Sequence, residues 1–289
     1  MSRGFRELIE KKWAEDKFVC IGLDPVVDRL PEPFRLRRTE YSQTTPCGQF
    51  VHFVRSILDA TKDIVHSYKI NPSFYLKYGS EGLSTVRQII DDIHSLAPDV
   101  PVILDGKYGG AIREENLGYA ECAFDFLGAD AVTVHAYPGR EAMQPFLDYK
   151  EKGIFIVCRT SGAGSGEFQQ MDVAGDSVPG SYMPLYEYVA HCVANDWNEN
   201  GNCGVVVGAN HPEELKEVRG RVLDMPILCP AVGPQQEHVS LDEQVRWIVS
   251  AGKYGRDLPL ILSSSRGIIF AKDPRAETLR LIDLVNQYR

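Results

Sequence analysis

Eight short apolar runs recur along the chain, and most are followed by a longer segment whose apolar residues repeat with a helical period. Most runs are rich in Val, Ile and Leu and lack polar alternation, which is typical of parallel strands covered on both faces. They span residues 18–24, 67–71, 100–105, 130–136, 153–158, 203–209, 226–232 and 258–265. The helical segments span residues 49–65, 81–96, 116–127, 185–197, 212–220 and 241–252. This alternation predicts an α/β protein built on a parallel sheet.

Eight βα units in a chain of 289 residues favour a closed (β/α)8 barrel, the TIM barrel, although the alternation alone is also compatible with a doubly wound sheet. The sequence contains no internal repeat and no linker, so we predict a single domain over residues 1–289. Two irregular inserts interrupt the alternation, at residues 25–48 and 160–181. The second insert is rich in glycine and follows the fifth run, which makes it a candidate mobile lid.

Composition narrows the range of partners. A net charge of -9 argues against nucleic acid or an anionic membrane as a partner, because both require a surplus of Lys and Arg on one face. No apolar run approaches the roughly 18 residues that a membrane span needs. The seven cysteines are odd in number and include no Cys-x-x-Cys pair, so we expect free thiols in a reducing, cytoplasmic setting.

Polar residues at the ends of the runs are the candidates for chemistry, because the site of such a barrel lies at the carboxyl ends of its strands. Lys69 lies near the end of the second run, where its ammonium group must meet an anion to offset the loss of hydration. Asp105 and Lys107 stand two apart and so share one face of an extended chain. A carboxylate beside an ammonium group suits a general acid, but the same pair also fits an exposed salt bridge worth about 0–1 kcal/mol.

Three more strand ends each allow two interpretations. Arg266 follows a run of three serines at a predicted helix start, where guanidinium and free backbone N–H groups can bind a phosphate, or it forms a surface ion pair. Asp24 fits either a ligand contact or a helix cap. His135 has no partner at metal-binding spacing, so we expect a hydrogen-bonding or structural histidine and no metal.

These segments together resemble the orotidine 5'-monophosphate decarboxylase family, specifically its longer bacterial branch. The resemblance covers nearly the whole chain and is therefore more specific than any single motif. The segments that carry it include FVCIGLDP (18–25), KINPSFYLKYGSEGL (69–83), LDGK (104–107), GADAVTVHAYPGREAMQPFL (128–147), RTSGAGSGEFQ (159–169), VVVGANHPEEL (205–215), PAVGPQ (230–235) and SSSRGIIFA (263–271).

The resemblance implies a TIM-barrel homodimer that decarboxylates a nucleotide monophosphate without a cofactor. It implies two catalytic residues, with Asp105 facing the departing carboxylate and Lys107 protonating C6 of the pyrimidine. The residues that it implies for substrate binding are Asp24, Lys69, Asn71, Ser161, Gln235 and Arg266. Asp24 and Lys69 would contact the ribose and the charge network, Ser161 the pyrimidine, and Gln235 and Arg266 the phosphate.

The sequence departs from the family pattern at several positions, and the departure at position 110 bears on activity. The family usually carries a second aspartate three residues after the lysine and supplies it across the dimer interface, whereas this chain has Gly110 there. Glu114 or Glu115 could substitute, because an apparent one-residue insertion shifts the following helix. Gly162 also replaces an expected asparagine, and Glu237 lies in the segment that replaces a glycine-rich phosphate turn.

Three functions therefore stay open at the level of sequence. The first is decarboxylation of orotidine 5'-monophosphate, with Lys107 as the proton donor. The second is proton transfer by the same lysine on another phosphorylated substrate, for which a single Asp–Lys pair suffices. The third is non-catalytic binding of a nucleotide or sugar phosphate, although three charges retained in a barrel mouth without use would be costly.

Overall fold

A closed barrel of parallel strands forms the centre of the computed structural model, which describes residues 4–35, 45–174, 182–233 and 239–289. Within these residues ten strands are present: β1 (Val19–Gly22), β2 (Ser67–Ile70), β3 (Val102–Tyr108), β4 (Ala131–His135), β5 (Gly153–Arg159), β6 (Asp172–Ala174), β7 (Tyr182–Pro184), β8 (Cys203–Val207), β9 (Ile227–Cys229) and β10 (Leu260–Ser264). The barrel order is β1-β10-β9-β8-β5-β4-β3-β2, and β6 and β7 pair separately as an antiparallel hairpin. The predicted eight-stranded barrel is confirmed.

Helices alternate with the barrel strands and cover them from outside. In the described part of the chain they are α1 (Phe5–Ala14), α2 (Pro46–Thr61), α3 (Ser73–Leu76), α4 (Gly79–Leu96), α5 (Arg113–Glu121), α6 (Arg140–Leu147), α7 (Gly166–Gln169), α8 (Leu185–Cys192), α9 (Pro212–Val222), α10 (Leu241–Gly252), α11 (Arg266–Ile269) and α12 (Pro274–Tyr288). Single π-helical turns, Cys122–Phe126 and Val193–Trp197, extend α5 and α8. No helix among the described residues combines the length and the apolarity that crossing a membrane requires.

The predicted helical segments did not include α1, α6 or α12. α6 has only 8 residues and contains Pro145, which weakens the periodic signal. α12 is rich in charge, but it has a clear start, because the Asp273 side chain accepts a hydrogen bond from the N–H of Ala276 and Pro274 occupies the first turn. Capping residues were therefore a better guide to α12 than its apolar periodicity.

The N-terminal helix closes one end of the barrel. Phe5 and Ile9 of α1 are buried in the cluster that fills the barrel interior, and the Phe5 ring meets that of Phe155 edge to face at 5.7 Å. Phe5 can pack in this position because residue 153 is glycine: a Cβ there would lie 2.3 Å from the Phe5 ring. With the N-terminal end filled, the opposite end, where the strands finish, is free to form a site; we call it the C-terminal rim.

A buried arginine holds together two connections at the N-terminal end. Arg219 of α9 is 4% exposed, and its guanidinium donates to the carbonyl oxygens of Gly252 at 2.9 Å, Met225 at 2.8 Å and Pro259 at 2.9 Å, and to that of Leu223. The loop before β9 and both ends of the turn before β10 therefore share one donor group.

We expect Arg219→Met to lower the free energy of unfolding by about 3 kcal/mol or more, because several buried carbonyls would lose a charged donor. Urea unfolding at neutral pH measures this loss. Arg113→Met is the control: Arg113 pairs with Asp148, and the two side chains are 49% and 52% exposed, so the expected loss is about 1 kcal/mol or less. Equal losses in the two variants would contradict the role given to Arg219.

Candidate active site

Strand pairing places the predicted site residues around one rim. Gly22 of β1 pairs with Lys69 of β2, and Lys69 in turn pairs with Ile103 of β3. On the other side, Ile21 pairs with Ser264 of β10. The strands β10, β1, β2 and β3 are thus consecutive neighbours and end on the same side. Residues that follow them therefore open onto the C-terminal rim, including Asp24, Lys107 and Arg266.

Asp105 lies between two lysines. Its Oδ2 accepts a hydrogen bond from Nζ of Lys69 at 2.8 Å, and its Oδ1 accepts one from Nζ of Lys107 at 2.6 Å. The side chains of Lys69 and Asp105 are 7% and 9% exposed, whereas that of Lys107 is 39% exposed. Lys69 thus has the anion that its burial requires, and Lys107 is the ammonium group that still faces solvent.

These contacts set the protonation states of the two buried groups. Burial alone would raise the pKa of Asp105, but the ammonium groups of Lys69 and Lys107 outweigh it and hold that pKa well below its usual range. Burial alone would lower the pKa of Lys69, but the carboxylates of Asp105 and Asp24 keep it above the usual value. At neutral pH the pair is therefore a buried carboxylate and a buried ammonium group.

Thr133 of β4 fixes the geometry of this pair, and the sequence prediction did not include it. Its hydroxyl donates to Oδ1 of Asp105 at 2.8 Å and accepts from the backbone N–H of Lys107 at 2.9 Å. Thr133 is 1% exposed, so its rotamer is held by packing as well. The signal was present in the sequence, because Thr133 and His135 alternate with the outward-facing Val132 and Val134 and so point into the barrel.

The backbone at Lys107 departs from the extended form that the sequence prediction assumed. Pairing between β3 and β4 shifts register between Leu104 and Tyr108, and Lys107 has a φ of 47°. A left-handed conformation is costly for a residue with a side chain and persists only where its surroundings hold it. Lys107 still reaches Asp105, but through an irregular strand end and not through simple alternation.

Packing of the neighbouring Tyr108 helps to keep the backbone at Lys107 in this conformation. Its ring stacks on Tyr119 of α5 at 5.2 Å and on Phe146 of α6 at 5.9 Å, so it lies between two helices of the outer layer. Burial raises the pKa of Tyr108 above its usual value, so the ring stays neutral. The residue after the lysine is thereby fixed from outside the barrel.

Asp24 and Asn71 form a second polar group at the rim. Oδ1 of Asp24 accepts from the backbone N–H of Asn71 at 3.2 Å, and Asp24 is 8% exposed. Tyr75 supports the same loop from beneath by donating to the carbonyl of Leu23 at 2.7 Å. The side-chain oxygen of Asn71 accepts from the N–H and the hydroxyl of Ser73, so only its NH2 group is free to donate to a ligand.

Ser161 and Arg266 also lie at the C-terminal rim. Ser161 is exposed, and its carbonyl accepts from Asn210 at 3.3 Å. Arg266 begins α11, is exposed, and forms no ion pair with any residue that the structure describes. Gln235 and Glu237 lie outside the described residues. Within the described ranges no three His, Cys, Asp or Glu side chains converge so that they could hold a metal ion.

The described part of the glycine-rich insert is tied to the end of β5. Arg159 is 3% exposed and its guanidinium donates to Ser165 and Gln169 of the insert and, at 3.4 Å, to Glu214 of α9. Oε1 of Gln169 also accepts from the backbone N–H of Thr160 at 2.9 Å. The first half of the predicted lid is thus anchored beside the rim by a buried charge.

Gly110 lies in a loop that is closed by its own hydrogen bonds. Its N–H donates to Oδ1 of Asn116, and its carbonyl accepts from Nδ2 of the same residue, both at 2.9 Å. Oε2 of Glu115 accepts from the N–H groups of Ala111 at 2.6 Å and Ile112 at 3.2 Å. Glu115 therefore caps the start of α5. Glu114 is exposed and has no described ion-pair partner.

We expect Asp105→Ala to lower the free energy of unfolding by about 3–5 kcal/mol at neutral pH, because it leaves the buried Lys69 ammonium group without its closest carboxylate. The folded pKa of Asp105 lies below its unfolded value of about 4, so its contribution is complete above about pH 4 and is lost as the pH falls through the folded pKa. Urea unfolding between about pH 7 and pH 3 should show a constant difference between the two proteins down to about pH 4 and a difference that begins to narrow below it.

Asp92→Ala is the control for that experiment. Asp92 forms an ion pair with Arg55 at 2.7 Å, but the Arg55 side chain is 45% exposed, so about 1 kcal/mol or less should be lost. A loss for Asp105→Ala no larger than this would show that the buried ion pair does not stabilise the rim.

The chain has extensive similarity to known proteins. The family model for orotidine 5'-phosphate decarboxylase / HUMPS proteins matches residues 18–281. An orotidine 5'-phosphate decarboxylase of Azoarcus sp. is 37% identical over 295 residues, covering 99% of both chains, and that of Thermomicrobium roseum is 38% identical, covering 99% of this chain and 96% of the relative. The solved structure of Leishmania donovani OMP decarboxylase superimposes with a TM-score of 0.81 at 29% identity, covering 99% and 98% of the two chains. The protein therefore belongs to the orotidine 5'-phosphate decarboxylase / HUMPS family.

Proposed function

We propose that this protein decarboxylates orotidine 5'-monophosphate to UMP, without a cofactor. The single observation that carries the proposal is the half-exposed Lys107 ammonium group, held at the C-terminal rim by Asp105 at 2.6 Å in a chain of this family. Full-length relatives at 33–38% identity carry the name orotidine 5'-phosphate decarboxylase, and this favours decarboxylation over the two other functions considered from the sequence.

The proposed step is a cleavage followed by a protonation. The bond between C6 and the carboxylate breaks, carbon dioxide leaves, and the electron pair stays on C6. Nζ of Lys107 then donates a proton to C6, and the neutral amine regains a proton from solvent. An ammonium group that is already fixed in place stabilises the developing negative charge without reorganisation during the reaction.

Asp105 contributes through its fixed position and charge. Two ammonium groups and the Thr133 hydroxyl hold its carboxylate, so it cannot turn away from a substrate carboxylate placed beside it. Repulsion between the two carboxylates disappears as carbon dioxide forms, whereas the attraction between Lys107 and C6 grows. Both changes favour the transition state over the bound substrate.

If the substrate carboxylate lies beside Asp105 and C6 lies beside Lys107, the other residues of the rim also have roles. Asp24, Lys69 and the NH2 group of Asn71 would bind the ribose and complete the charge network, which their positions beside β1 and β2 support. Ser161 would bind the pyrimidine. Arg266 would bind the phosphate, supported by its exposed position after β10 and its lack of a described partner. The phosphate contact of Gln235 stays a prediction.

We also propose a cytoplasmic homodimer of single-domain subunits. Exposed apolar side chains on α5 and on the loop after β4 support a protein interface beside the rim: Ile112 is 54% exposed, Leu117 45%, Tyr119 44% and Tyr137 97%. All seven cysteines are free thiols, in keeping with a reducing compartment.

Lys107→Ala tests the proposed function. Purified protein should consume orotidine 5'-monophosphate, with loss of the orotate absorbance, and the variant should lose about 10²- to 10⁴-fold in kcat, as is typical for a missing general acid. Lys77→Ala is the control, because Lys77 is also exposed but lies over the ring of Tyr78 without an ion pair. A wild-type protein with no turnover, or a Lys107→Ala variant with normal turnover, would contradict the proposal.

Substitutions around Gly110 test whether a glutamate replaces the missing acid. Glu114→Gln should leave kcat unchanged, because nothing holds that side chain at the site. Glu115→Gln should largely keep the cap of α5, because the amide oxygen can still accept from the N–H groups of Ala111 and Ile112, and kcat should change far less than in Lys107→Ala. A loss of kcat in either variant comparable to that of Lys107→Ala would show that the glutamate acts in the reaction.

Gly110→Asp does not simply restore the family pattern. A Cβ at position 110 would lie 2.6 Å from Cβ of Glu115 and 2.9 Å from its Oε2, so the cap of α5 must move first. For this reason Gly110→Ala must accompany Gly110→Asp, so that the steric effect is separated from the effect of the charge.

A further inference from the structure

A cleft of about 610 Å³ opens at the N-terminal end of the barrel, away from the rim that carries Lys107. It lies between the end of α1, the residues that precede β1 and β10, and the last turn of α12. The residues that matter for its chemistry are Trp13, Phe18, Lys253, Arg256, Asp257 and Arg289. None of these residues belongs to the proposed catalytic site.

The cleft is locally basic in a chain whose net charge is -9. Lys253 and Arg256 form no ion pair with any described residue, whereas Arg289 is already paired with Asp16 at 2.7 Å. Asp257 contributes one opposing charge to the lining. Two uncommitted cations therefore face one acid, which leaves the cleft net positive and suited to an anion.

The turn that carries the two cations is rigid. Tyr254 and Asp257 exchange backbone hydrogen bonds at 3.0 Å in both directions, and Gly255 between them takes a φ of 60°. The buried Arg219 guanidinium binds the carbonyls of Gly252 and Pro259, which flank this turn. Lys253 and Arg256 are therefore presented from a fixed backbone, which reduces the entropy that a ligand must overcome.

Aromatic rings form another part of the lining. The indole N–H of Trp13 donates to the carbonyl of Leu260 at 3.0 Å, which fixes the ring at the wall of the cleft. Phe18 is 3% exposed and lies beneath the Arg289 guanidinium, whose carbon is 5.4 Å from the ring centroid. The partly exposed Trp13 ring is thus the aromatic surface that a ligand can reach beside the two cations, with Phe18 buried beneath Arg289.

We propose that this cleft binds a nucleoside phosphate as a second ligand site of the protein. Phosphate groups would contact Lys253 and Arg256, with the base against Trp13. The volume lies within the range of about 300–1,000 Å³ that is usual for small-molecule sites. Guanidinium and ammonium groups are the side chains that bind phosphate most strongly, and an aromatic ring gives a base a surface on which to stack.

Isothermal titration calorimetry with ATP at low ionic strength tests the proposal. The full chain should bind ATP saturably, and Lys253→Ala/Arg256→Ala should weaken the affinity by about tenfold or more, because two charged contacts are lost. Lys216→Ala/Arg246→Ala is the matched control: it removes the same two residue types from exposed positions outside the cleft and should bind as the wild type does. Arg266→Ala alters only the C-terminal rim and should also leave this binding unchanged.

Two further titrations define the ligand class. Tripolyphosphate should bind more weakly than ATP if the base contacts Trp13, and adenosine alone should show no measurable binding. Binding of ATP that persists in Lys253→Ala/Arg256→Ala, or that is lost in Arg266→Ala, would overturn the proposal. Equal affinity for tripolyphosphate and ATP would overturn the assignment to nucleoside phosphates. None of these outcomes depends on turnover at the rim.

Discussion

Asp105 binds one ammonium group with each of its carboxylate oxygens, and the other features of the C-terminal rim depend on that arrangement. A carboxylate that is only 8% exposed stays ionised because cations lie against it, and the buried Lys69 stays charged for the same reason. The two lysines differ in how far their ammonium groups are accessible to a ligand. Lys69 is 7% exposed and is held mainly by Asp105, whereas Lys107 is 39% exposed and is open to solvent and to a ligand.

The outer layer of helices contributes to this site although it lies outside the barrel. The left-handed backbone at Lys107 costs roughly 1–2 kcal/mol, and two contacts offset it: the hydrogen bond from its N–H to Thr133 and the stacking of Tyr108 between Tyr119 and Phe146. Helices α5 and α6 therefore determine where the lysine head group lies. Phe5 fills the N-terminal end of the barrel interior, so the polar side chains inside the barrel, Lys69 and Asp105, open onto the C-terminal rim.

The barrel and the charged residues of the rim could be predicted from the sequence, because both depend on short-range patterns. Short apolar runs, most of them without polar alternation, identified all eight barrel strands, and the need of a buried Lys69 for an anion predicted an ion pair that is present. The irregular end of β3 could not be predicted in this way, because it depends on a tertiary hydrogen bond to Thr133 and on ring stacking across two helices. The short hairpin of β6 and β7 was missed for a related reason, since three-residue strands give no usable periodicity.

The loop at Gly110 shows how a missing acid alters the charge balance of the rim. Within the chain, the carboxylates of Asp24 and Asp105 face the ammonium groups of Lys69 and Lys107, so the acids and the cations are equal in number. Glu115 does not add a third acid, because its carboxylate is bound to the N–H groups of Ala111 and Ile112. A substrate with both a carboxylate and a phosphate would therefore meet a neutral cluster with Arg266 as an extra cation. With the roles proposed for these residues, this balance would strengthen substrate binding through the phosphate and leave Asp105 as the acid that repels the substrate carboxylate. Less of the binding energy would then be converted into stabilisation of the transition state relative to the bound substrate.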